Sequence, residues 1–225
     1  MNSLTLKIIA IVTMAVDHAG SVLLSHYIGT EYVGIYLLTR WIGRIAFPIF
    51  AYLIAQGCVH TRSMPKYMMR LGILAIVSEF FFDMALVRSG TVNFLAQTNI
   101  FYTLFLAVVA IWFYQLAGKR WWGWILVLPS MAIAQLLTTD YASFGVLFIF
   151  AIYAISKDSK ALSAVVVAVG MILLYFSMWQ ATLFALVSVL CILIYNGKPG
   201  PKHAALQYCF YAFYPTHLGV LMMFV

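Results

Sequence analysis

Charge is scarce in this chain: 6 acidic and 13 basic side chains make up 8% of its 225 residues, against 65% hydrophobic ones. A soluble domain of that size has too little interior to hide so much apolar surface, so the scarcity excludes a water-soluble fold. The apolar runs also lack the apolar–polar alternation of barrel strands, which leaves helices as the spanning element. The basic excess gives a net charge of +7, yet no basic block carries interleaved aromatics, so nucleic acid is not expected as a partner. Cysteine is rare too. Cys58, Cys191 and Cys209 lie in or beside apolar runs without metal-ligand spacing; they read as packing residues, and no metal is expected. The first apolar run carries Asp17 and His18 and lacks a small-x-small cleavage site, so it is expected to be retained as a span. No Walker motif, no G-x-G-x-x-G after a strand, no G-x-S-x-G, no H-E-x-x-H and no C-x-x-C occurs. ATPase, Rossmann-type, serine-elbow, zinc-protease and dithiol chemistry are therefore unsupported. With no repeat, low-complexity tract or soluble segment either, residues 1–225 are expected to form a single transmembrane domain.

What is present is a series of apolar windows near 20 residues long, separated by short polar breaks, which predicts about nine helices. They fall near 5–25, 33–59, 69–88, 98–117, 121–138, 141–156, 161–177, 179–196 and 204–224. The expected fold is an all-α polytopic integral membrane protein, multi-pass in the cytoplasmic membrane. The breaks "HTRSMPKYMMR", "GKRWW", "SKDSK" and "NGKPGPKH" hold Arg62, Lys66, Arg70, Lys119, Arg120, Lys157, Lys160, Lys198 and Lys202. They share one side with Lys7, while the other side offers only Arg88 and Arg40. The positive-inside rule then puts the N-terminus in the cytoplasm and the C-terminus outside.

Depth follows from orientation. His18 lies eleven residues beyond Lys7, roughly 16 Å along a helix and on nearly the same face. That places it at or past the midplane. Arg44, in "RWIGRIAFPIF", descends from the outer side, and Glu79 and Asp83 rise one turn apart on one face. Asp17, His18, Arg40, Arg44, Glu79 and Asp83 are thus expected to share an outer-half layer. A charged side chain at a helix centre costs about 2.5–3.5 kcal/mol on insertion scales, so these groups must face one another or water. An ion-paired staple between helices is the plain reading. The imidazole and the number of groups favour function.

His217, in "FYPTHLGVL", lies at comparable depth in the last helix, where Pro215 frees the Tyr211 carbonyl. His60 reads as a helix cap, and His26 and His203 as loop residues. Arg62, Lys66 and Arg70 recur every four residues and align if that segment is helical. They suit either an anchor on anionic lipid headgroups or a clamp for a phosphorylated donor.

The stretches "LKIIAIVTMAVDHAG", "RWIGRIAFPIFAYLIAQGCVHTR", "YMMRLGILAIVSEFFFD", "NIFYTLFLAVV" and "FYAFYPTHLGVL", in this order, resemble the TraX family, named for the acetyltransferase that modifies F-type conjugative pilin. From about 105 to 200 the likeness is one of character, with "YASFGVL" its best piece. The resemblance implies a polytopic inner-membrane acyltransferase that uses acetyl-CoA. It also suggests kinship with the acyltransferase-3 enzymes, whose first helix carries a basic residue eleven positions before its histidine. Lys7 and His18 keep that spacing, with lysine in place of the bidentate arginine.

For such chemistry His18 is the candidate general base, with Asp17 or a carboxylate of the third helix orienting it. His217 is the second candidate. Arg44 would hold Asp17, Glu79 or Asp83, or face the oxyanion. Lys7, Arg62, Lys66 and Arg70 would take the donor's phosphates. Arg40, Asp83, Asn99, Tyr102, Thr103 and Tyr214 would line the acceptor, which is a pilin or protein amino terminus, a glycan or a lipid head group of the envelope. The rival reading is a small proton-coupled transporter with Asp17, His18, Arg44, Glu79 and Asp83 as its relay. A non-catalytic scaffold fits the density of buried ionisable groups less well.

Overall fold

Apolar runs fold as helices along most of the described residues, and three of these helices open on a polar cap. The computed structural model describes residues 1–88, 90–94, 97–156, 158–198, 200 and 204–225, with side chains for all of these except 204–207. In chain order the helices are α1 (Ser3–Leu23), α2 (Val33–Gly43), α3 (Ala46–His60), α4 (Met64–Phe82), α5 (Ile100–Leu116), α6 (Val127–Leu136), α7 (Ala142–Ser156), α8 (Lys160–Leu174), α9 (Trp179–Ile194) and α10 (Ala204–Met222). A π-helical turn, Asp83–Val87, extends α4, and a 3-10 turn, Trp121–Leu126, leads into α6. Among the described residues the one strand-like feature is an isolated bridge between Thr98 and Thr139. Asn2, Ser63 and Asn99 cap α1, α4 and α5 by accepting from the backbone N–H of Thr5, Lys66 and Phe101, which satisfies donors that a helix start otherwise leaves open. Two helical stretches, Ser3–Leu23 and Val33–His60, are long and apolar enough to cross a membrane, and five further apolar helices are 10–17 residues long.

Two boundaries differ from expectation. The helix expected over 33–59 is interrupted at Arg44 and Ile45, so ten α-helices stand among the described residues where about nine were expected. Pro48 is the cause: it has no N–H for the Arg44 carbonyl four residues earlier, and its ring crowds that carbonyl. The chain tightens instead, with Arg44 N–H donating to Trp41 O at 3.0 Å and Ile45 N–H to Ile42 O at 3.2 Å. The break expected across "HTRSMPKYMMR" shrinks to residues 61–63, because Ser63 caps α4 and Pro65 fits its first turn. Arg62 therefore precedes the helix, while Lys66 and Arg70 lie one turn apart on it.

The chain divides into two compact units, Met1–Phe50 with Lys160–Val225, and Ala51–Ser159. In the first, α1 packs on α2 and α10, and α9 packs on α2 and α8. The α1–α2 contact is close at two glycines: a Cβ on Gly20 would collide with Thr39, and one on Gly43 with Asp17. Helices α1 and α10 run parallel, Lys7 Nζ lying 5.7 Å from the Phe210 ring and His18 further along meeting His217. At one end of this unit Asn196 N–H donates to Met1 O at 2.8 Å, Ser3 N–H to Lys198 O at 2.9 Å and Lys160 Nζ to Tyr195 O at 3.0 Å. The start of α1, the start of α8 and the end of α9 thus share that end.

In the second unit α5 packs against α4, α6 and α7, burying Ala107, Val108, Ala110 and Ile111 completely. At one end Thr61, Lys119 and Asp158, from the connections after α3, α5 and α7, line a polar cavity of about 530 Å³. At the opposite end Asp140 N–H donates to Thr98 O at 3.0 Å, joining the connections before α5 and before α7. Helices in each unit therefore alternate in direction, and the basic connections gather at one end of each.

Candidate functional site

The polar centre of the first unit is assembled by three helices. On α1, Asp17 and His18 are consecutive, so they point about 100° apart and serve different neighbours. Asp17 faces α2, where Arg40 Nη1 meets its Oδ2 at 2.9 Å and its backbone carbonyl at 3.1 Å. The second carboxylate oxygen, Oδ1, is buried without a hydrogen-bond partner. His18 faces α10, where its Nδ1 lies 2.8 Å from Nε2 of His217.

The two imidazole rings lie within 7° of parallel with centroids 5.1 Å apart. With the nitrogens only 2.8 Å apart, that separation puts both nitrogens between the centroids. The rings therefore meet edge to edge, as an in-plane hydrogen bond requires, and do not stack face to face. His217 Nδ1 is 2.9 Å from the Phe213 carbonyl one turn earlier on α10. Tyr214, 2% exposed, stands edge-on to both imidazoles, at 5.9 Å from His18 and 5.4 Å from His217. Nε2 of His18 has no hydrogen-bond partner among the described residues. No group of three or more His, Cys, Asp or Glu is arranged to hold a metal ion among the described residues.

Of the groups expected in one layer, the first unit brings together Asp17, His18 and Arg40, and it adds His217 and Tyr214 from α10. His217, rather than Asp17 or a carboxylate of α4, is the group bonded to His18. Arg44, lying outside α2, has its guanidinium 5.7 Å from the Tyr175 ring, and Arg40 is the residue that pairs with Asp17. Glu79, Asp83, Asn99 and Thr103 belong to the second unit, and all four are fully buried. There Glu79 Oε2 accepts from Asn99 N–H at 3.1 Å and from its Nδ2 at 2.5 Å, while Nδ2 also donates to Ala75 O at 2.8 Å. Asn99 Oδ1 accepts from Phe101 N–H, so every polar side-chain atom of Asn99 is engaged. Asp83 Oδ2 accepts from Asn93 N–H at 2.8 Å, and the Thr103 hydroxyl bonds Thr139 and the Asp140 carbonyl.

Arg62, Lys66 and Arg70 are exposed and have no ionic partner among the described residues, at the end of the second unit that carries the polar cavity. Tyr102 opens α5 beside Asn99. Sequence reasoning did not find Tyr175, Asn93 or the Phe213 carbonyl. The first two carry no motif, and the third is a backbone group that no side-chain pattern announces.

An all-helical chain with a largely apolar surface and a polar centre sequestered between its helices is the class that this fold and site define. It belongs to the TraX protein family, which it matches over residues 3–225. One relative is the "Probable fimbrial assembly protein FimC, serogroup H1" of Dichelobacter nodosus, 25% identical over 242 aligned positions that cover 98% of this chain and 94% of the relative. No solved structure matches the chain.

Proposed function

We propose that this protein is a multi-pass acetyltransferase of the cytoplasmic membrane, moving an acetyl group from cytosolic acetyl-CoA to an amine or hydroxyl of an envelope acceptor. The observation that carries the reading is the His18–His217 pair, placed beside a neutralised Asp17–Arg40 pair in a chain of the TraX family. Acyl transfer needs a base for the acceptor's proton. His18 is the candidate, since its Nδ1 is the nitrogen engaged by His217 and its Nε2 is left with a lone pair for the acceptor's proton. As the acceptor's lone pair adds to the thioester carbonyl, His18 takes the acceptor's proton. The carbon–sulfur bond then breaks, and the coenzyme A thiolate leaves and collects a proton.

Arg62, Lys66 and Arg70, exposed cations at the basic end of the second unit, suit the donor's phosphates, which charge-assisted hydrogen bonds hold well. Lys7, the basic residue of α1, is a further candidate for those phosphates. The fimbrial assembly role in the relative's name favours a pilin amino terminus among the possible acceptors, with membrane lipids as the surrounding partners. A proton-coupled transporter would need its carboxylates free to exchange protons, and the ion pair that ties Asp17 to Arg40 supports transfer chemistry over a relay.

The experiment is incubation of purified protein with labelled acetyl-CoA and pilin or envelope extract. Label should appear on one acceptor class. His18→Ala, in a protein of unchanged melting temperature, should lower the rate at least about a hundredfold, the scale of general-base catalysis. Undiminished transfer by that variant sinks His18 as the base.

A further inference from the structure

We propose that His217 is a positioning residue that fixes the tautomer of His18, so that the Nε2 lone pair of His18 is the one presented for proton abstraction. This inference rests on the acetyltransferase reading for its consequence in catalysis, but its geometric part stands without it. A backbone oxygen sets the direction of the chain of hydrogen bonds. A carbonyl only accepts, so the 2.9 Å contact between His217 Nδ1 and Phe213 O requires the proton of His217 to sit on Nδ1. In a neutral His217 ring Nε2 is then an acceptor. It lies 2.8 Å from His18 Nδ1, and that atom must therefore be the donor. A neutral His18 with its proton on Nδ1 has Nε2 bare. The chain Nε2(His18)–Nδ1H–Nε2(His217)–Nδ1H–O=C(Phe213) has one direction only, set by its carbonyl end.

The surroundings hold this register. Near-coplanar rings, 7° apart, put both lone pair and N–H in the line of the contact. Tyr214 flanks both rings edge-on, and Phe213 lies 14° from parallel to His217 with centroids 5.0 Å apart, so rotation of the rings meets aromatic neighbours on α10. Asp17, the other group next in sequence to His18, is taken by Arg40. The arrangement does for His18 what the third member of a Ser-His-Asp triad does for its histidine, with a neutral ring and a backbone carbonyl where the triad has a carboxylate. It also differs in leaving no anion beside the base.

The test is read on the tautomer itself. Protein labelled with 15N-histidine, in detergent and without any acyl donor, gives ring-nitrogen shifts that distinguish protonated from bare nitrogens, with His18→Ala and His217→Leu assigning the signals. In the unmodified protein His18 should be protonated on Nδ1 and bare on Nε2. His217→Leu removes the acceptor, and His18 should then shift towards the Nε2–H form that free imidazole side chains favour. His217→Gln places its side-chain carbonyl near the lost Nε2 and should restore the Nδ1–H form.

In the transfer assay His217→Leu should lower kcat by roughly a hundredfold or more, towards the ~10⁴ that a wrong tautomer costs a triad enzyme, with KM for donor and acceptor nearly unchanged. His217→Gln should recover much of that loss. An Nε2–H tautomer in the unmodified protein, or a tautomer unmoved by His217→Leu, overturns the inference. Failure of the acetyltransferase reading is a separate event, seen as absence of label transfer by the unmodified protein whatever the tautomer.

Discussion

Arg40 grips Asp17 twice, through the carboxylate and through the carbonyl of the same residue, and side-chain exposures of 25% and 15% put the pair partly out of water. Removing the guanidinium leaves Asp17 with one oxygen already unpartnered and the other newly so. Breaking a fully buried pair costs about 3–5 kcal/mol, and an exposed one about 0–1. Arg40→Ala should therefore destabilise by about 2 kcal/mol, between those limits. Adding Asp17→Asn should recover part of the loss, because it removes the stranded charge. Urea or thermal unfolding of the two variants and their combination measures the coupling; a purely additive result would dissolve the pair as an energetic unit.

From the sequence both arginines belong in one layer with Asp17, but the pairing was expected of Arg44 and Arg40 was expected at the acceptor; the pair that forms is Arg40–Asp17. Four residues apart, the two arginines share a helix face only if the helix is continuous. Pro48 ends α2 at Gly43, so Arg44 leaves the face that Arg40 occupies. The local rule was readable at Pro48, but its consequence for a side chain four residues earlier needs the packed helices.

At the scale of elements, the polar centre depends on how near α1 and α2 approach. Gly20 lies against Thr39 and Gly43 against Asp17, each closely enough that a Cβ would overlap the Cβ of its neighbour. Those neighbouring atoms are fixed to the opposite backbone, so the helices themselves would have to part. Gly43→Ala should cost about 1–3 kcal/mol by overpacking and pull Asp17 away from Arg40. Gly34, also in α2, has nothing within 4 Å of its would-be Cβ. Gly34→Ala should be neutral or stabilise by up to about 1 kcal/mol, as alanine loses less backbone entropy on folding. Melting temperatures in detergent compare the two, and equal shifts would contradict the close approach.

Helix existence was legible because apolar runs, Asn and Ser caps and proline positions act locally. Ser63 and Pro65 mark the start of α4 plainly, yet the basic residues around them read as a longer loop. The choice of neighbours was not legible. That His18 meets α10 while Glu79 meets Asn99 is decided by which helices pack together, and every apolar run here offers similar surface to every other.

For the whole molecule, the proposed multi-pass reading demands one direction across a bilayer. Each unit gathers connections that carry cations at one end: Met1, Lys160 and Lys198 in the first, and Lys119 with Arg62, the residue after Thr61, at the cavity end of the second. Alternating helices with cations at one end follow the positive-inside rule, which counts Lys and Arg in short loops. The connection that carries Asp140 lies at the far end of the second unit, joined to Thr98 and Thr103. A reporter fused after Asp140 should thus report the outside, and one fused after Lys160 the cytoplasm. The parallel run of α1 and α10 adds a third expectation, a reporter after Val225 on the same side as the one after Asp140. If the Lys160 fusion reports outside, Arg62, Lys66 and Arg70 face a compartment without acetyl-CoA, and the donor clamp falls together with the orientation.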